Sequence, residues 1–182
     1  LELASVNALV RNNLFNEINN VNTSFEGAPI GLKINGGAPL ILNNTFRKNT
    51  IGIYTEETEA EIKDNIFDNN IQKAISNYGV LGTFEGNKTL SNIVSDTVFL
   101  TGARIKQNAT TTMRSNQIPY LIENGFLVSS SSTLLIKAGT VIQNKDINRI
   151  EVYGSLITEG ANQSDILFTS QNNQSGSSWF GI

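Results

Sequence analysis

The feature that most restricts this chain is a recurring pattern built around phenylalanine. In AEIKDNIFDNN (60–70) an apolar residue precedes Asn by three positions, Phe follows that Asn by two, and another Asn follows the Phe by three. Aligned on the Phe, ALVRNNLFNEIN (8–19), PLILNNTFRKN (39–49) and GVLGTFEGN (79–87) read as further copies. Phe15, Phe46, Phe67 and Phe84 then share one column. Asn13, Asn44 and Asn65 stand two before it, with Gly82 in the fourth copy, and Asn49, Asn70 and Asn87 stand three after it.

Phe46 and Phe67 are 21 residues apart, whereas Phe15 and Phe46 are 31 apart. Ile30-Gly31-Leu32 matches Ile51-Gly52-Ile53 but follows its Phe at a greater distance, so the surplus is expected as a loop at about 20–29. The interval from Phe67 to Phe84 is only 17, which implies a shorter last coil. Apolar pieces of a few residues, separated by Asn or Gly within a period near 21, fit three short strands and three turns per coil. Coils stacked at the strand spacing of ~4.8 Å place equivalent residues in ladders, Phe on Phe inside and Asn on Asn at a turn. A leucine-rich repeat has a similar period, but its signature is absent.

The first twenty residues have two readings. Ser5 can cap a helix carrying Val6, Leu9, Val10 and Leu14 on one face. Alignment with copies that read poorly as helix favours strand and turn.

Composition agrees with a turn-rich fold. Asn supplies 25 of the 182 residues and Ser plus Thr another 32. Asn accepts the left-handed backbone region and caps turns through its side chain. Zero Cys and zero His remove thiolate nucleophiles, disulfides, the commonest general base and most zinc sites. Net charge of −3 with scattered basic residues argues against nucleic acid as a partner. No apolar run approaches a membrane span, so membrane insertion is not expected, and no signal-peptide pattern is visible at the N-terminus. Six N-x-[ST] sequons begin at Asn22, Asn43, Asn87, Asn108, Asn162 and Asn173, a number close to chance for this composition.

Three sections are expected. Residues 1–92 carry the Asn-x-Phe coils, 93–117 form an irregular rung or linker, and 118–182 form a second β-helix section. In the last, Leu134 and Ile136, Ile150 and Val152, and Ile166 and Phe168 alternate at period two, with turns at Gly139, Gly154 and Gly160.

Residues 118–182 resemble a recurring module of large bacterial extracellular proteins with right-handed parallel β-helix repeats. The matching pieces are IPY (118–120), STLLIKAGTVI (132–142), IEVYGSLITEG (150–160), ILFTS (166–170) and WFGI (179–182). The first half resembles the generic repeats of the same broad pectate-lyase-like fold. The resemblance implies an all-β, right-handed parallel β-helix and an extracellular or cell-surface location. Because WFGI resembles the start of a further coil, the chain is expected to be an internal, uncapped fragment cut mid-coil, with further coils of the same protein as its partners.

The leading functional expectation is a structural or adhesive, non-catalytic module, with surface glycans or polysaccharide as candidate partners. The alternatives are a polysaccharide lyase or glycoside hydrolase, or a carbohydrate-binding module. A hydrolase needs two carboxylates, for which Asp64 and Asp68 are candidates, as are Glu85 and Asp96. A lyase needs a basic residue, such as Arg47 or Lys63, near calcium-binding acids. Glu56, Glu57, Glu59 and Glu61 form a carboxylate cluster that suggests calcium, although their order lacks a known loop signature and an exposed acidic loop is the plainer reading. No other cofactor is expected. For binding without catalysis, Tyr54, Tyr78, Tyr120, Tyr153 and Trp179 are the candidate platforms, Trp179 being equally readable as core.

Overall fold

The computed structural model describes residues 1–16, 29–91, 96–145, 148–162 and 165–171. Every regular element among them is a β-strand, and every strand pairing is parallel. The chain winds as a solenoid whose neighbouring coils pair strand to strand. One long sheet runs through it in the order β1 (Glu2–Ala4), β4 (Ile30–Asn35), β7 (Ile51–Glu56), β10 (Lys73–Val80), β13 (Val98–Arg104), β15 (Tyr120–Ile122), β18 (Thr140–Asn144) and β21 (Ile166–Ser170).

Two further faces complete the N-terminal coils. The second holds β2 (Leu9–Arg11), β5 (Leu40–Leu42), β8 (Glu61–Lys63) and β11 (Thr83–Glu85). The third holds β3 (Leu14–Asn16), β6 (Thr45–Arg47), β9 (Ile66–Asp68) and β12 (Lys88–Ser91). Residues 1–16 are therefore short strands joined by turns, not a helix. Register sets the coil at 21 residues from Ile30 to Ile51 and 22 from Ile51 to Lys73. Leu14 pairs Thr45 at 31, so the surplus lies between the end of β3 and the start of β4. The expected loop itself falls, apart from Pro29, outside the described residues.

The cross-section changes in the middle of the chain. β13 spans two faces: its first residues pair β15, while Ala103 and Arg104 pair β16 (Phe126–Val128). Gly102 has φ +55° and Gly125 has φ +73°, left-handed conformations that let the backbone bend between the two halves. From there each coil has three strands, of the kinds β15, β16 and β14 (Thr110–Met113). β16 pairs β19 (Ile150–Val152), and β14 pairs β17 (Thr133–Lys137), which pairs β20 (Ser155–Glu159). The stretch expected as an irregular rung or linker, 93–117, thus contributes β13 and β14 to continuous sheets. Its polar Thr110, Thr111 and Thr112 stand beside Thr133, Leu134 and Leu135 because a parallel ladder satisfies their backbone whatever the side chain.

The core is a set of columns. Leu32, Ile53, Ile75, Val98, Tyr120, Ile142 and Phe168 follow one another by register along the long sheet. Phe15, Phe46 and Phe67 stack on the third face at centroid separations of 4.7 and 5.3 Å, with rings within 13° of parallel. Gly31 and Gly52 sit against this stack because a side chain will not fit. A Cβ on Gly52 would lie 2.6 Å from Ala74 O and 2.7 Å from a Phe67 ring carbon.

The fourth copy of the Phe pattern requires a correction. Phe84 belongs to the second face, in the column Val10, Ile41, Ile62, Phe84, and the position paired with Phe67 is Thr89. Asn87 correspondingly continues the column of Asn13, Asn44 and Asn65 rather than that of Asn49 and Asn70. The interval of 17 therefore compares two different faces, and the coil keeps 22 residues, as Ile66 pairing Lys88 shows. Phe84 and Ile62 are both large and apolar, so their inward site accepts either.

Candidate functional site

Asparagine is the most abundant polar residue, and the structure uses it to hold corners. Asn44 Nδ2 donates to Asn65 Oδ1 (3.1 Å), and Asn44 N donates to the same oxygen (2.9 Å). Asn65 repeats both bonds to Asn87 Oδ1 at 3.1 Å, and Asn87 repeats them to Asn116 Oδ1 at 3.1 Å. The residue before each ladder Asn from Asn13 to Asn87 has positive φ: Asn12 (57°), Asn43 (54°), Asp64 (53°) and Gly86 (64°). This left-handed step turns the chain from the second face to the third, and it favours Asn, Asp or Gly. Tyr120 ends the ladder. Its buried hydroxyl accepts from Asn116 Nδ2 (2.9 Å) and reaches Phe84 O (3.0 Å) and Arg114 O (3.1 Å), and burial pushes its pKa well above the tyrosine range.

A second, shorter ladder joins Asn49 to Asn70, with Asn70 Nδ2 donating to Phe46 O at 2.9 Å. It too follows left-handed residues, Lys48 and Asn69. The ladder positions Asn13, Asn44, Asn65, Asn49, Asn70 and Asn87 are thus structural corners.

The candidate acids sit at different points of the coil, and two of them are in ion pairs. Asp64 is the left-handed corner residue before β9, whereas Asp68 ends β9 and pairs with Arg47 Nε at 3.2 Å. Glu85 lies 3.9 Å from Lys63 and 3.6 Å from Arg114, and Asp96 is exposed. Lys63 is also held by Glu61 at 2.6 Å.

The glutamate cluster is dispersed in the same way. Glu57 pairs with Arg104, Glu59 with Lys106 and Glu61 with Lys63, while Glu56 accepts from the Tyr54 hydroxyl at 3.4 Å. Each carboxylate faces a different partner because the chain turns at Glu57 (φ 50°). Among the described residues no group of three or more acidic side chains converges as a metal site.

What the structure does assemble is a depression of about 270 Å³ on the outer surface of the long sheet. Tyr54, Lys73, Ser76, Tyr78, Thr101 and Glu123 line it. Tyr54, Ser76 and Phe99 form one outward column, and Glu56, Tyr78 and Thr101 form the next. Tyr78 is 47% exposed, while Tyr54 is buried. Burial, seconded by Glu56, raises the Tyr54 pKa, so its hydroxyl stays protonated.

At the floor, Glu123 accepts from Lys145 Nζ (2.5 Å) and Thr101 Oγ1 (3.2 Å), and Lys73 Nζ stands 3.7 Å away. Lys73 Nζ also lies 4.1 Å over the Phe99 ring, a cation–π contact. Burial lowers the Lys73 pKa, with Glu123 opposing and Lys145 adding to the fall. Burial works against ionisation of Glu123, but the hydrogen bond from Lys145 and the charge of Lys73 outweigh it and hold the carboxyl below its usual range.

Of the expected platforms, only Tyr54 and Tyr78 meet here. Tyr120 is core, Tyr153 is exposed on its own at 70%, and Trp179 lies outside the described residues. Lys73, Thr101, Glu123 and Lys145 carry no motif. Their only signal in the sequence is spacing, since Thr101, Glu123 and Lys145 follow one another at 22 residues.

This architecture agrees with a comparison against known families. A family model described as a right-handed β-helix region matches residues 4–174. The chain belongs to the right-handed β-helix family. That membership covers both halves of the solenoid, including the bend between them. No curated protein matches the chain, and no solved structure does.

Proposed function

We propose that this right-handed β-helix is a non-catalytic, structural and adhesive section of a secreted or cell-surface bacterial protein. The supporting observation is how its polar side chains are used. Asn forms a ladder from Asn13 to Asn116, and several of the acids suggested for chemistry are paired with cations on other coils, Arg47–Asp68 across adjacent coils and Arg104–Glu57 and Lys106–Glu59 across two. Such a chain spends its polar groups on coil-to-coil cohesion. Every added coil lengthens the rod by ~4.8 Å and extends flat outer faces.

Further coils of the same protein would stack on it, and surface glycans are the proposed adhesion target. The depression at Tyr78 supports that target, because an exposed aromatic ring beside hydroxyls and charged groups suits a sugar face. The test pairs a glycan array with a polysaccharide-depolymerisation assay on the purified chain. Binding without release of reducing ends is the expected result. Depolymerisation abolished by Asp64→Asn or Asp68→Asn would overturn the scaffold reading.

A further inference from the structure

We propose that Asn124 is a site of self-modification, at which the backbone nitrogen of Gly125 closes onto the Asn124 side-chain carbonyl, ammonia leaves, and water opens the resulting ring to aspartate or isoaspartate, with Asn148 setting the rate. The chain has two Asn-Gly steps, Asn35-Gly36 and Asn124-Gly125. Glycine after asparagine leaves the attacking nitrogen least shielded, because no Cβ stands beside it. The fold treats the two steps in opposite ways.

Asn35 is closed to the reaction. It is the last residue of β4, paired with Ala4 on one side and Glu56 on the other. Gly36 N, the atom that would attack, donates to Glu56 O at 2.9 Å, and Asn35 Nδ2 donates to Glu2 Oε1 at 3.0 Å. Asn35 Oδ1 is buried and has no donor among the described residues. That oxygen gains negative charge as the nitrogen adds to Cγ, and a buried oxygen without donors does not stabilise the charge.

Asn124 is open. It lies in the bend between β15 and β16, outside the strand ladders, and it is exposed, so water can solvate its oxygen as charge develops. One side chain restrains the step. Asn148 Oδ1 accepts from Gly125 N at 3.2 Å, and Asn148 Nδ2 donates to Glu123 O at 2.8 Å. Asn148 thus grips the peptide groups before and after Asn124. Release of the single bond to Gly125 frees the nucleophile, whereas Gly36 is freed only when the end of a paired strand opens.

In the first step the bond from Gly125 N to Cγ forms, the bond from Cγ to Nδ2 breaks, and the proton of the Gly125 N–H departs with the amide nitrogen as ammonia. Water then adds at either ring carbonyl. Attack at Cγ gives aspartate, and attack at the main-chain carbonyl gives isoaspartate, whose backbone is longer by one carbon. Either product takes the net charge from −3 to −4 and sets a carboxylate next to Glu123, which is already paired with Lys73 and Lys145. The longer backbone of isoaspartate also displaces Gly125 from Asn148, at the bend where β13 passes from one face to the next.

The test is to age the purified folded chain in mildly alkaline buffer, with peptide mapping by mass spectrometry and enzymatic methylation of isoaspartate as readouts. Conversion is expected at Asn124, faster as pH rises because the deprotonated nitrogen attacks, and roughly tenfold slower at Asn35, the worth of one to two further hydrogen bonds to be opened. In the chain unfolded in urea the two steps should convert at similar rates. Asn148→Ala should speed conversion at Asn124 roughly fivefold, with unchanged circular dichroism separating this from unfolding, and Asn124→Gln should remove the signal. Conversion of Asn35 as fast as Asn124 in the folded chain overturns the proposal, as does an Asn124 that stays intact while the unfolded chain converts. A folded Asn148→Ala that converts at the rate of the unsubstituted chain overturns the role given to Asn148.

Discussion

Replacing Asn65 by alanine interrupts the longest hydrogen-bonded column of the molecule near its middle. Asn65 is fully buried, and its Nδ2 reaches Ile41 O (2.9 Å), Lys63 O (2.9 Å) and Asn87 Oδ1 (3.1 Å). Its Oδ1 receives the backbone N–H of Asn44 at 2.9 Å and Asn44 Nδ2 at 3.1 Å. Truncation leaves different groups in different states. Asn44 Nδ2 keeps Val10 O and Leu42 O as acceptors, and Asn87 Oδ1 keeps the Asn65 backbone N–H. The Asn44 backbone N–H has no other partner and stays buried, at about 1 to 3 kcal/mol. The bonds lost to Ile41 O and Lys63 O add about 1 kcal/mol between them, since carbonyls tolerate under-satisfaction better than an N–H. The sum is about 2 to 4 kcal/mol.

Urea unfolding followed by circular dichroism measures it. The midpoint should fall by that amount divided by the m-value, with m unchanged. Asn43→Ala, at the neighbouring exposed corner, serves as the contrast. It removes no ladder bond and should cost less, chiefly through its left-handed backbone (φ 54°). A loss under about 0.5 kcal/mol for Asn65→Ala, within the usual range of surface substitutions, would refute the claim that the ladder holds the coils together. The double variant Asn44→Ala/Asn65→Ala should lose less than the sum of its parts, because the two share bonds.

Three further outcomes follow from the geometry. Gly52→Ala should destabilise by about 1 to 3 kcal/mol, because the new Cβ meets the carbonyl of Ala74 and the Phe67 ring, neither of which can yield freely; a neutral result in thermal melts would show that the coils have slack. Tyr120→Phe removes the hydroxyl that receives Asn116 and should cost about 1 to 3 kcal/mol, read as a lowered urea midpoint. The folded pKa of Glu123 is depressed, so its contribution is present above the usual carboxylate range and is lost as pH falls through the folded value. Glu123→Gln should therefore be less stable than the unsubstituted chain at neutral pH and match it in acid, and a gap that persists in acid would contradict the ion-pair account.

Much of the fold is legible in the residues. The paired spacing of Phe and Asn predicts stacked coils, and the surplus before Ile30 predicts which coil has the longer register interval. The left-handed corner explains why Asn, Asp or Gly precedes the ladder Asn at Asn43, Asp64 and Gly86. The misplacement of Phe84 and Asn87 has one cause. Phe84 and Phe67 are alike in chemistry but occupy different faces, and an alignment on one residue type cannot tell two inward columns apart when both accept a large apolar side chain. Had Asn87 been aligned on its glycine corner, Gly86, it would have joined the column of Asn65.

The depression was less legible for a different reason. Tyr54 and Tyr78 attract notice singly, but Lys73, Thr101, Glu123 and Lys145 have no local signature. They meet only because successive coils bring residues about 22 positions apart to one outer surface.

What the sequence by itself determined is the kind of object this protein is, because a solenoid repeats one environment and must therefore repeat the residue types that suit it. What only the tertiary structure decided is which column each residue enters, how Tyr120 closes the Asn ladder, and which charges share the outer face. Those depend on the register of every face of the coil at once, and that register follows from the packing of the whole stack rather than from any one segment.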